Sequence, residues 1–381
     1  MNIKDNFSLI FSLVLLLLAS CKGGNTNDAV SEKGERIPLS YAENLSLTKF
    51  PDYVKADIRN PWDTAKTLHT YILIPDSVNT PDNLPAGTVI RTPLKNSLVY
   101  SSVHNSLITE LGSIDAIKGV CDAQYIHQPT LAKRINSGEV ADCGNSMTPN
   151  IEKIIKLNPD GILLSPFENS GNYGKLGQLG IPIIECADYM ETSPLGRAEW
   201  MKFYGILYGR EETARDIFNA TEKDYLSLKE LASVSSVRPT VLVDRLYGSS
   251  WNVPAKHSTM GIFIEDAGGI NPFSYIDKSG SSPLAGEQVL HKAGDADIWL
   301  VRYSQTNDKS LKELASDNPI YPQIKALKDK NVYGCNTSKV FFYEDIPFHP
   351  QWLLADLISV FHPELSVSDP NNQRHYFTKI N

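Results

Sequence analysis

The sequence predicts an α/β protein with two lobes, each built on a parallel sheet, joined by one long α-helix and preceded by a short N-terminal β extension. Three observations predict this fold. Short apolar runs alternate with helical patterns in both halves of the chain, one amphipathic segment at 211–232 separates the halves, and a proline-broken stretch of alternating residues precedes them. Apolar strands that alternate with helices indicate parallel sheets covered on both faces.

Length and composition agree with a soluble globular chain. The protein has 381 residues, of which 41% are hydrophobic and 21% charged, with a net charge of -8. A mildly acidic chain has no bulk attraction for a phosphate backbone, so we expect no nucleic-acid partner. The length favours two domains, because one core rarely grows beyond roughly 250–300 residues.

Residues 1–20 are interpreted as a signal peptide, because their apolar run, Leu9 to Leu18, is shorter than the ~20 residues of a spanning helix. The run ends in Leu-Ala-Ser-Cys, which resembles the bacterial lipobox and makes Cys21 the expected lipidation site. A plain secretory signal with an incidental cysteine is the alternative. Residues 21–36 then form a lipidated flexible tether, and we expect the protein at the extracytoplasmic face of a bacterial envelope, anchored by diacyl chains.

Four further cysteines are present, at positions 121, 143, 186 and 335. None forms a CxxC pair or has histidine at metal-ligand spacing, so buried free thiols are favoured over a structural metal site. An envelope location also permits disulfides. The pairing of Cys121 with Cys143 is then the best disulfide hypothesis.

The first lobe is predicted at 37–209 and includes the β extension, whose short runs are broken by five prolines. Strands are predicted at 97–100, 117–121, 161–165 and 181–186, and helices at 105–111 and 151–157. The helix at 151–157 ends at the sequence Asn-Pro-Asp-Gly. Because apolar strands and helices alternate, this lobe is expected to be Rossmann-like.

The linking helix, 210–237, keeps apolar residues at spacings of three and four and would reach about 33 Å over 22 residues. A single helical crossing predicts lobes that rock slightly instead of closing like jaws. The second lobe, 238–381, repeats the strand and helix plan, with strands at 240–243, 297–301 and 331–333 and helices at 259–267 and 350–361.

Four stretches, in this order and spacing, resemble one known family. They are 99–120, 150–160 (Asn-x-Glu-x-Ile followed by Pro-Asp), 208–214, and 286–290 with 296–299. The family is the class of ABC-importer substrate-binding proteins that carry iron–siderophore complexes, haem or cobalamin. The resemblance implies a substrate-binding lipoprotein that captures an iron–siderophore complex between its lobes, with cobalamin or haem as alternatives. It implies no resident cofactor and no enzymatic activity.

The resemblance also implies partners, namely a permease dimer in the membrane and its cytoplasmic ATPase. In this family each lobe presents one glutamate to arginines of the permease, and the matching positions are Glu152 and Glu287. Each glutamate is expected to begin a helix, where the dipole favours a carboxylate. The alternative is that both are ordinary helix-start glutamates.

Ligands of open α/β lobes meet the loops that leave the carboxyl ends of the strands. The aromatic and basic residues after the predicted strands are therefore the expected ligand-binding residues: His104, Tyr125, Phe167, Tyr247, Trp251, Arg302, Tyr303 and Tyr343. Aromatic side chains with polar groups suit a large apolar ligand with a few polar anchors. Arg302 would pair with an anionic chelate, and direct metal ligation by His104 or Tyr303 is the less favoured role.

Two other functional classes remain as alternatives. An extracytoplasmic hydrolase would need a triad such as Asp244, His257 and Ser258, but the chain has no G-x-S-x-G, H-E-x-x-H or Walker A motif. A lipoprotein that only scaffolds envelope partners would leave two sheet lobes with aromatic loops unexplained.

Overall fold

The computed structural model describes residues 34–168, 173–365, 367 and 376–381. The predicted signal peptide, Cys21 and all but the last three residues of the predicted tether lie outside these residues. A helix long and apolar enough to cross a membrane does not occur in the described part of the chain.

A five-stranded sheet forms the N-terminal extension. Its strands are β1 (Glu35–Ile37), β2 (Leu45–Lys49), β3 (Val54–Arg59), β4 (Thr67–Pro75) and β5 (Thr88–Thr92), in the order β1-β2-β3-β4-β5. Pairs from β1 to β4 are antiparallel, but β5 is parallel to β4. The 12-residue connection between these last two strands is long enough for a parallel crossover. β1 also begins inside the predicted tether.

The N-terminal lobe is built on a parallel sheet with the strand order β12-β11-β6-β7-β8. These strands are β6 (Ser97–Val99), β7 (Ile117–Val120), β8 (Ala141–Asp142), β11 (Gly161–Leu164) and β12 (Ile183–Glu185). The helices are α1 (Ser102–Glu110), α2 (Pro129–Asn136), α3 (Ile151–Leu157), α4 (Pro194–Glu199) and α5 (Met201–Leu207), and a hairpin joins β9 (Gly144–Asn145) to β10 (Thr148–Pro149). Asn150 caps α3, and Asn158 ends it in the left-handed conformation.

The predicted linking helix is α6 (Glu211–Ser233). Its buried side chains follow the three-and-four spacing that the sequence shows: Ala214, Phe218, Thr221, Tyr225 and Ala232. This stripe packs against α5 of the first lobe at one end and against elements of the second lobe at the other.

The C-terminal lobe contains a sheet of β13 (Val241–Val243), β17 (Ile298–Tyr303), β18 (Val332–Asn336) and β19 (Thr378–Lys379), of which the first three are parallel. A separate antiparallel sheet contains β14 (Leu246–Tyr247), β15 (Ser250–Pro254) and β16 (Ser281–Leu284). The helices are α7 (Thr259–Asp266), α8 (Gly286–Ala293), α9 (Leu311–Asp317), α10 (Lys325–Lys328), α11 (Phe342–Asp345) and α12 (Pro350–Phe361). The predicted fold class is therefore confirmed.

The two lobes exchange core residues besides sharing α6. Phe348, which precedes α12, is 1% exposed and belongs to the apolar core of the N-terminal lobe. Leu195 of α4 is 4% exposed and belongs to the core around α12. Each lobe thus contributes a buried side chain to the core of the other, which ties the lobes together at two points in addition to the spine helix.

Candidate functional site

A cavity of about 580 Å³ lies at the carboxyl edge of the N-terminal parallel sheet. Residues from the ends of β6, β7 and β11, the β9–β10 hairpin and the loop after β11 line it: Tyr100, Ser101, Asp122, Ser146, Met147, Pro149, Ile151, Leu164, Ser165, Phe167, Tyr173, Gly174, Lys175 and Leu176. The volume falls within the range of small-molecule sites. The position is the one that the strand order predicts for a ligand.

The cavity wall combines apolar and polar groups. Met147 and Phe167 are 79% and 55% exposed, so both present apolar surface to solvent at the mouth. Asp122, in the left-handed conformation, holds the β9–β10 turn by accepting from the backbone N–H of Ser146 at 3.3 Å. Burial raises the pKa of Tyr100 well above its ordinary value, so its hydroxyl stays protonated.

The predicted ligand-binding residues of the first lobe separate into two groups. Phe167 lines the cavity, and Tyr125 is 62% exposed in the turn after β7, three residues beyond Asp122. His104 does not face the cleft, and that prediction is wrong. Because α1 begins at Ser102, His104 falls on the inner helix face, 2% exposed, with its Nε2 at 2.8 Å from Asp188 Oδ1.

In the second lobe, two predicted cleft residues are core residues instead. Trp251 is fully buried in β15 and donates its indole N–H to the Val243 carbonyl at 2.9 Å. Tyr303 is 5% exposed, and its hydroxyl accepts the Lys309 backbone N–H at 3.1 Å. The predictions for both are wrong, because the strands extend to these residues and turn their side chains into the core.

Three predicted residues of the second lobe remain accessible. Tyr247, in the β14–β15 hairpin, is 85% exposed, and Tyr343 in α11 is 53% exposed. Arg302, near the end of β17, donates its Nε–H to Asp244 Oδ1 at 2.8 Å and makes a second, shorter bond to Oδ2. Burial opposes the charge of Arg302, but the Asp244 carboxylate more than offsets this and raises the pKa of the guanidinium.

A hydrogen bond connects the two lobes beside the cavity. The Arg302 guanidinium lies over the Phe342 ring, 5.4 Å from its centroid. Glu344, two residues further along α11, accepts a hydrogen bond from the Ser102 hydroxyl at 3.1 Å. Ser102 directly follows the cavity residue Ser101. The Arg302 side of the second lobe therefore lies at the rim of the first-lobe cavity.

The cavity wall also includes Tyr173 and Lys175, which are not among the residues predicted from strand ends. Both lie in the long connection between β11 and β12, more than eight residues after the end of β11. Proximity to a strand end therefore does not predict them. The glycine-flanked run Gly-Asn-Tyr-Gly-Lys is a signal that marks a turn and could have identified them.

The predicted disulfide between Cys121 and Cys143 is absent, and that hypothesis is wrong. All four described cysteines are free and buried. Burial raises the pKa of Cys121 to about 12 and that of Cys143 to about 11, which disfavours the reactive thiolate. Both pack as small apolar side chains with Leu98 and Ile162 below the cavity.

The triad considered for a hydrolase does not assemble. Asp244 pairs with Arg302, and His257 Nε2 lies 2.9 Å from Asp277 Oδ1 on the surface. Ser258 donates to the Ala255 carbonyl and caps α7. No cluster of three or more His, Cys, Asp or Glu side chains suited to a metal ion occurs among the described residues.

The predicted docking glutamates have the expected placement. Glu152 is exposed in the first turn of α3, and Glu287 is exposed in the first turn of α8. One glutamate therefore lies on each lobe.

Comparison with known proteins identifies similar chains. A family model described as periplasmic binding protein matches residues 107–338. An uncharacterised lipoprotein of Methanocaldococcus jannaschii is 28% identical over 380 residues, which cover 93% of this chain and 88% of the relative. Two solved structures share the fold. A possible iron-binding periplasmic solute-binding protein from Staphylococcus epidermidis has a TM-score of 0.56 at 18% identity and covers 71% of this chain and 100% of its own. A periplasmic heme-binding protein from Pseudomonas aeruginosa has a TM-score of 0.58 at 16% identity. The match covers 76% of this chain and 98% of the Pseudomonas chain.

Proposed function

Since the chain belongs to the periplasmic binding protein family, we propose that it captures an iron–siderophore complex between its lobes and delivers it unchanged to a membrane permease. The family consists of binding proteins, which agrees with the expectation that the chain is not an enzyme. The observation that carries the proposal is the aromatic and polar cavity at the carboxyl edge of the first sheet. The description of the Staphylococcus protein as possibly iron-binding supports iron as the metal of the proposed ligand.

The cavity wall suits a chelate better than a small polar solute. Phe167 and Met147 offer apolar area to the organic periphery of a chelate, while Asp122 and Lys175 offer charged hydrogen-bonding groups. The second lobe would contribute Arg302, Tyr247 and Tyr343 from the facing edge. These roles follow from the position and chemistry of each side chain. Tyr125, an exposed aromatic residue at the same edge of the first-lobe sheet, would also contact the ligand.

Arg302 sets a condition on the ligand. Its guanidinium is already bound in a bidentate pair by Asp244. An anionic group of the ligand would have to share or displace that carboxylate, so Arg302 gives orientation more than net attraction. A chelate with a peripheral carboxylate or deprotonated oxygen would satisfy this geometry.

Docking would use Glu152 and Glu287. Two exposed anions on separate lobes can meet two cationic sites on a permease dimer and so fix orientation and association rate. The energy for transport would come from the cytoplasmic ATPase. Diacylation of Cys21 would hold the protein at the extracytoplasmic face, which the lipoprotein name of the Methanocaldococcus relative supports.

Haem is the second candidate ligand, because the Pseudomonas structure with the same fold binds heme. Cobalamin is the third. Both are metallated macrocycles with apolar and polar groups, so a wall that combines aromatic and charged side chains could contact them. The three ligands differ in charge and shape, and direct binding therefore separates them.

The test is a titration of the purified protein with ferrichrome, a ferric tris-catecholate, haemin and cyanocobalamin, followed by tryptophan fluorescence. We expect saturable quenching by at least one ferric siderophore, with the chelate recovered intact. Phe167→Ala should weaken that binding, whereas Tyr275→Ala, which removes a 62% exposed ring outside the cavity, should not. Quenching by haemin or cyanocobalamin alone would transfer the assignment to that ligand, and quenching by none would overturn it.

A further inference from the structure

The carboxylate of Glu185 joins the N-terminal β extension to the wall of the cavity. Glu185 ends β12, at the edge of the first-lobe sheet, and its side chain is 5% exposed. Its Oε1 accepts the Tyr173 hydroxyl at 2.5 Å, and Tyr173 lines the cavity. Its Oε2 lies 3.2 Å from His69 Nδ1, and His69 belongs to β4 of the extension.

The extension also holds the backbone of the same strand end. The Tyr71 hydroxyl donates to the Ile183 carbonyl at 3.0 Å and accepts the Glu185 N–H at 2.8 Å. His69 stacks on the Tyr71 ring, with 4.3 Å between centroids and 14° between planes. Because both β4 side chains converge on one residue, the position of Glu185 depends on the extension as well as on its own sheet.

A second contact, at Nε2, holds the imidazole of His69 in place. Its Nε2 lies 2.8 Å from the Thr88 hydroxyl of β5. A Thr88 hydroxyl that donates to Nε2 leaves the proton on Nδ1, the nitrogen that lies 3.2 Å from the Glu185 carboxylate. The two strands of the parallel pair β4–β5 thus orient one imidazole toward one buried carboxylate.

Loss of the imidazole would affect the cavity through this carboxylate. A buried carboxylate that loses a polar neighbour is destabilised, so Glu185 would move or take another partner. The Tyr173 hydroxyl would move with the Glu185 carboxylate, because the hydrogen bond between them is short and charge-assisted. His69, itself absent from the cavity lining, would therefore change the cavity wall.

We propose that the N-terminal extension is part of the ligand-binding apparatus and that His69 is a positioning residue, which holds Tyr173 in the cavity wall through Glu185. The ligand-binding part of this inference rests on the proposed function. The chemical group offered to the ligand is a phenol whose hydroxyl is already committed as a donor to Glu185. Tyr173 therefore presents its ring face to the cavity, which favours an apolar surface on the ligand.

The first experiment needs no ligand. The full chain is labelled with ¹³Cζ-tyrosine, and the Tyr173 resonance is identified by its loss in Tyr173→Phe. His69→Phe keeps a ring to stack on Tyr71 but removes the hydrogen bond to Thr88 and the polar contact with Glu185, and we expect it to shift the Tyr173 resonance. The matched control is His257→Phe, because His257 makes a similar contact to Asp277 on the surface. An unchanged Tyr173 resonance in folded His69→Phe would overturn the inference.

The second experiment is a double-mutant cycle with ferrichrome, haemin and cyanocobalamin as the probes. We expect His69→Phe to lower the affinity for the bound probe roughly tenfold, and Tyr173→Phe to lower this affinity by a similar factor. If His69 acts through Tyr173, adding His69→Phe to Tyr173→Phe changes affinity little further. Multiplicative losses would show a general structural role and overturn the positioning role.

His69→Gln provides a rescue, since its amide can donate to Glu185, and it should recover part of the affinity lost in His69→Phe. The two experiments also separate the two claims. If none of the three probes binds, the proposed function loses its support, while the tyrosine resonance still decides whether His69 positions Tyr173.

Discussion

The imidazole Nε2 of His349 lies 2.7 Å from a carboxylate oxygen of Glu110, a residue 239 positions earlier in the chain. Glu110 ends α1 in the first lobe, and His349 directly precedes α12 in the second. The hydrogen bond between Ser102 and Glu344 also starts from α1 and reaches α11, which lies just before His349 in the chain. Together with the neighbouring Phe348, these contacts form a seam between the lobes that does not involve the spine helix.

Phe348 is expected to carry most of the stability of this seam. Its ring is buried 5.8 Å from that of Tyr204, edge to face, in the core of the opposite lobe. Phe348→Ala should lower the free energy of unfolding by about 3–5 kcal/mol, because it leaves a cavity in a packed core. Urea unfolding followed by circular dichroism measures this. Phe341→Ala is the control, since that ring is 38% exposed, and it should change stability by less than about 1 kcal/mol. Equal losses in both variants would contradict the burial argument.

The same seam predicts little movement on ligand binding. A spine helix and two exchanged core residues, Phe348 and Leu195, would all have to repack for one lobe to swing against the other. We therefore expect a rotation below roughly 10° between ligand-free and ligand-bound crystals, which corresponds to small shear instead of hinge closure. A rotation well above that value would show that the seam opens.

Asp188 is expected to be a major electrostatic contributor to the first lobe. Its carboxylate is 1% exposed and is bound by His104, Tyr204 and Arg197. Burial alone would raise its pKa, but the charges and hydrogen bonds of these partners lower it from 3.8 to about 2. Asp188→Asn should cost about 3–5 kcal/mol at neutral pH, because the Arg197 guanidinium loses its anionic partner in a buried ion pair. Asp216→Asn, in an exposed pair with Arg215, should be nearly neutral.

The difference in unfolding free energy between wild type and Asp188→Asn should change with pH in one direction. A carboxyl group whose folded pKa is depressed adds stability above its unfolded pKa and loses it as the pH falls through the folded value. The stability gap between wild type and Asp188→Asn should therefore be constant above pH 4 and shrink between pH 4 and pH 2. Unfolding curves across this range measure it. A gap that widened on acidification would disprove the assignment.

The docking glutamates make a prediction about transport. Glu152→Lys combined with Glu287→Lys should abolish uptake of a ferric siderophore in cells, while ligand affinity measured by fluorescence stays unchanged. Charge reversal replaces attraction to cationic permease sites by repulsion. Glu230→Lys with Glu265→Lys reverses two other exposed glutamates and should leave uptake intact. A collapse of affinity in the first double variant would place these residues in ligand binding instead.

Much of the secondary structure followed from local patterns. The helix Pro350–Phe361 has the predicted bounds. The spine helix begins one residue after its predicted start at 210 and ends four residues before its predicted end at 237. These segments have strong apolar periodicity and clear end signals, so local sequence outweighs tertiary context there. The parallel pairing of β5 with β4 was not predicted, because strand direction depends on how a proline-containing connection crosses the sheet.

The cavity shows the opposite case. A position after a predicted strand correctly predicts Phe167 as a cavity residue. The same criterion also predicts His104, Trp251 and Tyr303, which are buried. A rule based on strand ends cannot place a side chain when the strand or the next helix begins one or two residues from the expected position. Tyr173 was missed for the related reason that a long connection folds back over the sheet.

By itself, the sequence determined the fold class, the spine helix and the exposed placement of Glu152 and Glu287, because periodicity and helix-end residues act over a few positions. Only the tertiary structure decided which polar and aromatic side chains meet: Arg302 with Asp244, Glu110 with His349, and His69 with Glu185 and Tyr173. Those contacts join residues tens to hundreds of positions apart. Their formation depends on the packing of whole elements, which no local pattern encodes.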